Sequence, residues 1–319
     1  MFRAAVALAA CLAGAQFVAA QTNGATAHIV VPFAPGGGQD VLARVVAPDL
    51  AAALGETIVV DNRGGAGGAV GTAFVARSKP DGTTLLMAAA SHLINSALDP
   101  KLPYDPIGDF TAVAHVGAGA MLVLVNAALP VKNVAELIAY AKANPHRLNY
   151  ASAGVGSATH LAMAYFASTA GIDIVHVPYK STAEALTHLL SGEAQALIVP
   201  TLGSQAYVGN AGVRILAITD HNRLASLKDI PTVRESGLPA YEFISWFGLL
   251  GPARMPPDVV AKINDGLGKA MANPAVAAAI EQQGIAPKPL SPAEFARVLD
   301  DDFALIKSIV RGAGITAEQ

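Results

Sequence analysis

Three consecutive glycines, Gly36, Gly37 and Gly38, stand where an apolar stretch at residues 30–33 gives way, after Pro35, to a helical pattern beginning at Gln39. Glycine lets backbone N–H groups approach a ligand closely, and a helix N-terminus adds a potential that favours an anion. The segment VVPFAPGGGQDVLAR has Val41 where a dinucleotide fingerprint needs glycine, and it lacks the Gly-Lys-Ser/Thr of a P-loop. A carboxylate is the anion it suits, with Phe33, Pro35, Gly36, Gly37, Gly38, Gln39 and Asp40 as candidate contacts. The plainer reading is a tight strand-to-helix turn without a ligand. Asp40 has two readings as well: contact with a ligand amino group, or an acid complementing the helix dipole.

A second segment, ASAGVGSATHLAM at residues 151–163, repeats the arrangement, with Gly154 and Gly156 leading to a helix that opens at Ser157. Two such entrances, one per domain, would hold a carboxylate from both sides of a cleft. Ser157 and His160 share a helix face, which admits a hydrolytic dyad. Serine in a first helical turn also caps the backbone, however, and no Gly-x-Ser-x-Gly elbow surrounds it. Open α/β sheets place ligands at the carboxyl ends of their strands, and further candidates follow three apolar strands there. They are Ser91 and His92 after residues 84–88, Tyr179, Lys180 and Ser181 after 174–177, and Thr201 after 196–199. Lys180 and Arg44 are the cations placed to meet a second carboxylate, against the ordinary reading of solvated side chains. The stretch NRGGAGGAVG, residues 62–71, reads as close helix–sheet packing in preference to a second anion nest. Trp246 and Phe247 serve either pocket lining or core.

Such positions require strands that alternate with helices, and short β-branched runs do alternate with longer Ala/Leu-rich patterns nearly throughout. The fold class is α/β. Strands are expected at 28–33, 57–61, 84–88, 121–125, 148–151, 174–177, 196–199, 214–219 and 243–250. Helices are expected at 39–54, 68–78, 134–143, 157–170, 182–191, 257–271, 274–283 and 292–311. The last three open with Pro near the first turn, where its missing N–H costs nothing.

The first twenty residues carry one charge, Arg3, then an apolar stretch and small residues at Val18 and Ala20, as a signal-peptidase site requires. A lipoprotein box ending at Cys11 is the alternative. Cys11 is the single cysteine, so cleavage after residue 20 leaves a chain without thiols, which excludes a Cys-ligated zinc or redox thiol. A net charge of −3 without a basic stripe lacks the footprint of nucleic-acid binding. Mean hydropathy is high, at +0.44, yet residues 116–131 are interrupted by Gly117, Gly119, Asn126 and Pro130 and fall short of the ~20 residues a spanning helix needs. No HExxH or comparable cluster marks a metal site, and no cofactor motif is present.

With these segments in place, the chain resembles the substrate-binding receptors of tripartite tricarboxylate transporters, the Bug receptors. The resemblance rests on VPFAPGGGQDVLAR, NRGGAGGAVG, YDPIGDF, AGVGSATH, HVPYK and DIPTVRESGLPAYEFISWFGLLGP in that order over nearly the whole mature chain. It implies a type II periplasmic-binding-protein fold with two crossings between doubly wound domains. Domain one would comprise residues 21–124 and 242–319, and domain two residues 125–241. It implies a non-enzymatic monomer in the periplasm that holds a ligand carboxylate, often through waters, between residues 33–40 and 154–160. The ligand would be an amino acid, an aromatic acid or a di- or tricarboxylate, delivered to membrane permease subunits or reported to a sensor kinase. A secreted hydrolase using Ser157 and His160 is the alternative from another class. Two positions depart from the family pattern: Gln39 replaces a small hydroxyl residue, and Ser181 with Glu184 replaces a Gly and a Pro.

Overall fold

The computed structural model describes residues 26–201, 209–312 and 315, so the expected signal peptide and Cys11 lie outside the described residues. The chain begins β1 (Thr26–Val31), α1 (Gly38–Leu54), β2 (Thr57–Asn62), a 3-10 turn at Ala66–Gly68, α2 (Ala69–Ala76), β3 (Thr84–Ala89) and α3 (Ser91–Leu98). A seventeen-residue strand, β4 (Phe110–Asn126), leads to α4 (Val134–Ala143), β5 (Asn149–Ser152), α5 (Ala158–Ala170), β6 (Val175–Pro178), α6 (Thr182–Ser191), β7 (Ala196–Pro200) and β8 (Val213–Ile218). The chain returns through β9 (Ile244–Pro252) and closes with α7 (Pro257–Ala272), α8 (Pro274–Gln282), β10 (Ala286–Pro287) and α9 (Pro292–Gly312).

Strand order is β2-β1-β3-β9-β4-β7-β5-β6. At one end β1 lies parallel to β2 and β3; at the other β5 lies parallel to β6 and β7. Parallel strands covered by crossover helices are buried on both faces, which is why Ile29, Val30 and Val31 are all buried in succession. The first crossover after each end's leading strand, α1 after β1 and α5 after β5, places both glycine-rich entrances at strand carboxyl ends.

The two ends are joined by strands. β4 pairs with β9 from Phe110 to Ala120 and, from Met121 onward, with β7 and β8 instead. At this change of partner Thr219 accepts from Met121 N–H and donates to Phe243 O at 2.6 Å. Thr201 is bonded to Ala120 O at 3.1 Å and Gly284 O at 2.9 Å. The first half of β4 was not expected from the sequence, because Gly117 and Gly119 break its β pattern. Their absent side chains make room for β10, since a Cβ on Gly117 would overlap the Ala286 carbonyl. Residues 91–98, expected only as a strand end, form a helix whose His92, Leu93 and Ile94 are buried.

Candidate functional site

The loop between β1 and α1 is braced from behind. Asp40 is 3% exposed, and its carboxylate accepts from Gly36 N–H at 2.9 Å and from Arg44 Nε at 3.1 Å. Arg44 also donates to Asn62 Oδ1 at 3.0 Å, and Asn62 Nδ2 donates to Phe33 O at 3.1 Å. The ring of bonds thus closes from one end of the loop to the other. Gly36 has φ +84°, a conformation an L side chain would strain. Arg44 beside it holds the Asp40 carboxyl below the usual carboxylate range. Both residues are therefore committed to the loop itself, and Arg44 is not a spare cation for a ligand.

On its outer side the loop is open. Pro35, Gly36 and Gly37 are exposed, and no side chain caps α1 at Gly37. The first N–H groups of a helix have no intrahelical partner, so this entrance presents donors and a positive dipole end to the opening. Gln39 turns inward, where its Nε2 donates to Met87 O at 2.9 Å. Behind Phe33 it lines, with Ser91, His92, Asn95 and Thr72, a cavity of about 10 Å³, room for roughly one water. His92 is boxed by Tyr104 and Phe110, bonds Pro106 O through Nε2 at 2.9 Å, and leaves Nδ1 without a partner among the described residues. Burial pushes its pKa down to about 4, so the ring is neutral at pH 7.

The loop before α5 is satisfied from within. Ser157 Oγ accepts from His160 N–H at 3.2 Å and donates to Gly154 O at 2.6 Å. Its hydroxyl is thus the helix cap and does not engage the His160 ring. Nδ1 of that ring instead accepts from Gly156 N–H, at a long 3.4 Å. His160 is 2% exposed and stacks on His176, ring centres 4.0 Å apart, which stacks in turn on Tyr150 at 4.8 Å. His176 bonds Ser152 Oγ at 2.6 Å, and Ser152 Oγ accepts from Gly154 N–H. Burial lowers both histidines to about 4, His176 with a further push from its neighbour. Two neutral imidazoles therefore hold the loop from below; the Ser157 hydroxyl bonds Gly154 O and His160 N–H, not the His160 ring, so the expected Ser157–His160 dyad is not formed.

The two entrances meet at a residue the sequence reading passed over. Asn95, on α3, donates to Gly67 O at 2.5 Å beside Phe33, while a Cβ on Gly156 would fall 2.7 Å from its Oδ1. One amide side chain thus lies between the turn that supports the first loop and the glycine, at φ +77°, of the second. No motif marks Asn95; the length of α3 does. The glycines at 68 and 71 serve packing, since Cβ atoms there would press on Phe33 and on Arg63 O and Pro32.

Other candidates sit elsewhere. The Tyr179 ring stacks on His188 at 4.2 Å, while its backbone carbonyl lies 3.3 Å from where a Cβ on Gly154 would stand, beside the second entrance. Ser181 caps α6 by accepting from Glu184 N–H, while Lys180 is exposed beside it. Thr201 lies at the change of partner on β4, where its hydroxyl bonds Ala120 O and Gly284 O. Trp246 and Phe247 are buried in the core. Among the described residues no three His, Cys, Asp or Glu gather as a metal would require, and no helix is long and apolar enough to cross a membrane.

Residues 42–315 match the family model described as tripartite tricarboxylate transporter family receptor. Protein BugT of Bordetella pertussis is 32% identical over 90% of this chain and 89% of its own. Among solved structures, a periplasmic transporter aligns with a TM-score of 0.82 at 36% identity, covering 92% of this chain and 98% of that one. R. palustris Rpa4515 with adipate aligns at 0.83 and 32% identity, with the same coverage. MatC from Rhodopseudomonas palustris with bound malate aligns at 0.80 and 30% identity, covering 90% and 99%. The fold is accordingly that of periplasmic solute-binding proteins.

Proposed function

The chain belongs to the tripartite tricarboxylate transporter receptor family, and from that premise we propose that it captures a small mono- or dicarboxylate in the periplasm and hands it to the membrane subunits of such a transporter. The observation that carries this reading is the pair of glycine-rich helix entrances, one at each end of the sheet, joined across Asn95. The uncapped α1 entrance offers backbone donors to a carboxylate, and the α5 entrance supplies a fixed opposing wall. Backbone N–H groups at a helix start bind an anion without a cation, which suits a site whose nearest arginine is already paired. Adipate and malate in the two structural relatives are both dicarboxylates, which favours one or two carboxylates over three. The lobes on either side of Ala120–Met121 would close on the ligand by bending at β4 and β9, because a ligand touching both walls binds the closed state better.

Thermal unfolding of ligand-stripped protein against adipate, malate, tricarboxylates, aromatic acids and amino acids tests this. At about 1 mM, a ligand of micromolar affinity stabilises the folded state by roughly 4 kcal/mol. A midpoint shift confined to one carboxylate class is expected. A folded sample that responds to none of them would sink the carboxylate site.

A further inference from the structure

A groove of about 910 Å³ runs along the side of the first lobe, from Ala66 at the cleft rim to Thr83 and Thr84 at the amino end of β3. Its apolar floor includes Val70 and Phe74, four apart on α2 and therefore on one helix face, and Leu102 opposite. Val70 is 54% and Phe74 39% exposed, and these are two of the five exposed large apolar side chains among the described residues. The Arg63 guanidinium lies 3.7 Å over the Phe74 ring, so Val70 is the more open part of this apolar floor and Phe74 meets a cation as well as water. The rim is basic: Arg77, Lys79 and Lys101 line it, are all exposed, and take part in no ion pair among the described residues. Two carboxylates, Asp99 in the lining and Asp81 beside Thr83 and Lys79, stand against these three cations, in a chain whose overall charge is −3. The groove is thus positive where the molecule as a whole is negative.

The groove is also coupled to the binding loops. Its upper end is the turn at Ala66–Gly68, whose Gly67 carbonyl is held by Asn95 and whose Gly68 abuts the Phe33 ring. A partner seated there touches the segment that lies between the two entrances.

We propose that this groove docks an acidic, apolar segment projecting from the periplasmic face of the cognate membrane permease. The proposal rests on the receptor reading given above and extends it to the partner and the surface. Charge complementarity selects an acidic segment and steers its approach. Concavity selects a protruding loop or helix over a lipid surface: a groove alongside an eight-residue helix, about 12 Å long, accepts two turns of helix but only partly meets a flat bilayer.

The test uses the full-length receptor in its own cells, with a photo-crosslinking residue at Val70 or Phe74 and controls at Val175 and Leu305, which are comparably exposed at 40% and 43%. Crosslinks from positions 70 and 74 to an acidic periplasmic peptide of a multi-span membrane protein are expected, and none from the controls. The triple variant Arg77→Glu, Lys79→Glu, Lys101→Glu should lower that yield about tenfold or more while its thermal shifts across the same ligand panel match the parent's. A crosslink to lipid, to a second receptor copy or to a soluble protein would overturn the docking assignment. So would equal yield at the controls, or no crosslink at 70 and 74. The thermal shift answers separately for the receptor reading: a parent that responds to no ligand of the panel counts against carboxylate capture and leaves the crosslink to decide the groove.

Discussion

The two glycine-rich entrances look alike in sequence and are finished in opposite ways. Before α1 the loop is exposed, braced from behind by Asp40, Arg44 and Asn62, and left uncapped at its front. Before α5 the loop is closed by its own serine and rests on a stack of two histidines and a tyrosine. The first entrance has no side-chain cap; at the second Ser157 caps the His160 N–H. If the protein closes on an anion as proposed, the two entrances would contribute unequally to holding it.

The largest test of this difference is pH. His160 and His176 have folded pKa values lowered from 6.5 to about 4, so the unfolded chain binds more protons between those values. Their contribution is fully present above pH 6.5 and is lost progressively as pH falls toward 4. His92 adds a third loss of the same sign in the first lobe. Asp302, raised by burial to about 6, acts oppositely: its folded form holds the proton longer, so stability falls as pH rises from 3.8 through 6. Denaturant unfolding of the parent and of His160→Gln, His176→Gln should show the variant's slope flattened between pH 6.5 and 4. Equal slopes would deny that the α5 entrance rests on neutral imidazoles.

Gly37→Asp addresses the other entrance. Gly37 is extended, at φ −74°, and a Cβ there meets nothing closer than Ala34 O at 3.6 Å, so the residue fits. Its carboxylate would cap α1, stabilising the free protein by a few tenths of a kcal/mol, while filling the proposed seat of the ligand's own carboxylate. Calorimetry should show affinity down by more than about tenfold, with the melting point of the free protein raised. Gain of stability without loss of affinity would mean that the α1 donors do not meet the ligand.

Ser157→Ala should do the reverse. It removes a cap worth about 1 kcal/mol of stability, yet binding should stay within about threefold of the parent. A collapse of affinity would make Ser157 a ligand contact. The smallest effect is expected for Asn95→Ala, a few-fold weakening, under about 1 kcal/mol, seen equally with whichever carboxylate binds. A change in ligand preference instead would place Asn95 in direct contact with the ligand.

Much of this was legible beforehand for physical reasons. Period-two and helical patterns located β1, α1, β3, α5 and the C-terminal helices, because each buries one face or a whole strand and its composition reports that. The glycines of both entrances stood out because a positive φ or an open helix start leaves few alternatives. The first half of β4 was hidden, since Gly117 and Gly119 answer to the approach of β10 from far along the chain. Asn95 was hidden for the same reason: its partners, Gly67 and Gly156, are remote from it in sequence.

By itself the sequence determined the α/β class, the two glycine-rich helix entrances and the family, because these follow from local pattern and from motifs repeated in order. Only the tertiary structure decided which entrance is open. Asp40, Arg44, Ser157 and the histidines could each have met a ligand or a neighbour, and nothing in their spacing chooses between the two. A hydrogen bond is made once its partner is within about 3 Å, and the folding of distant strands sets that distance.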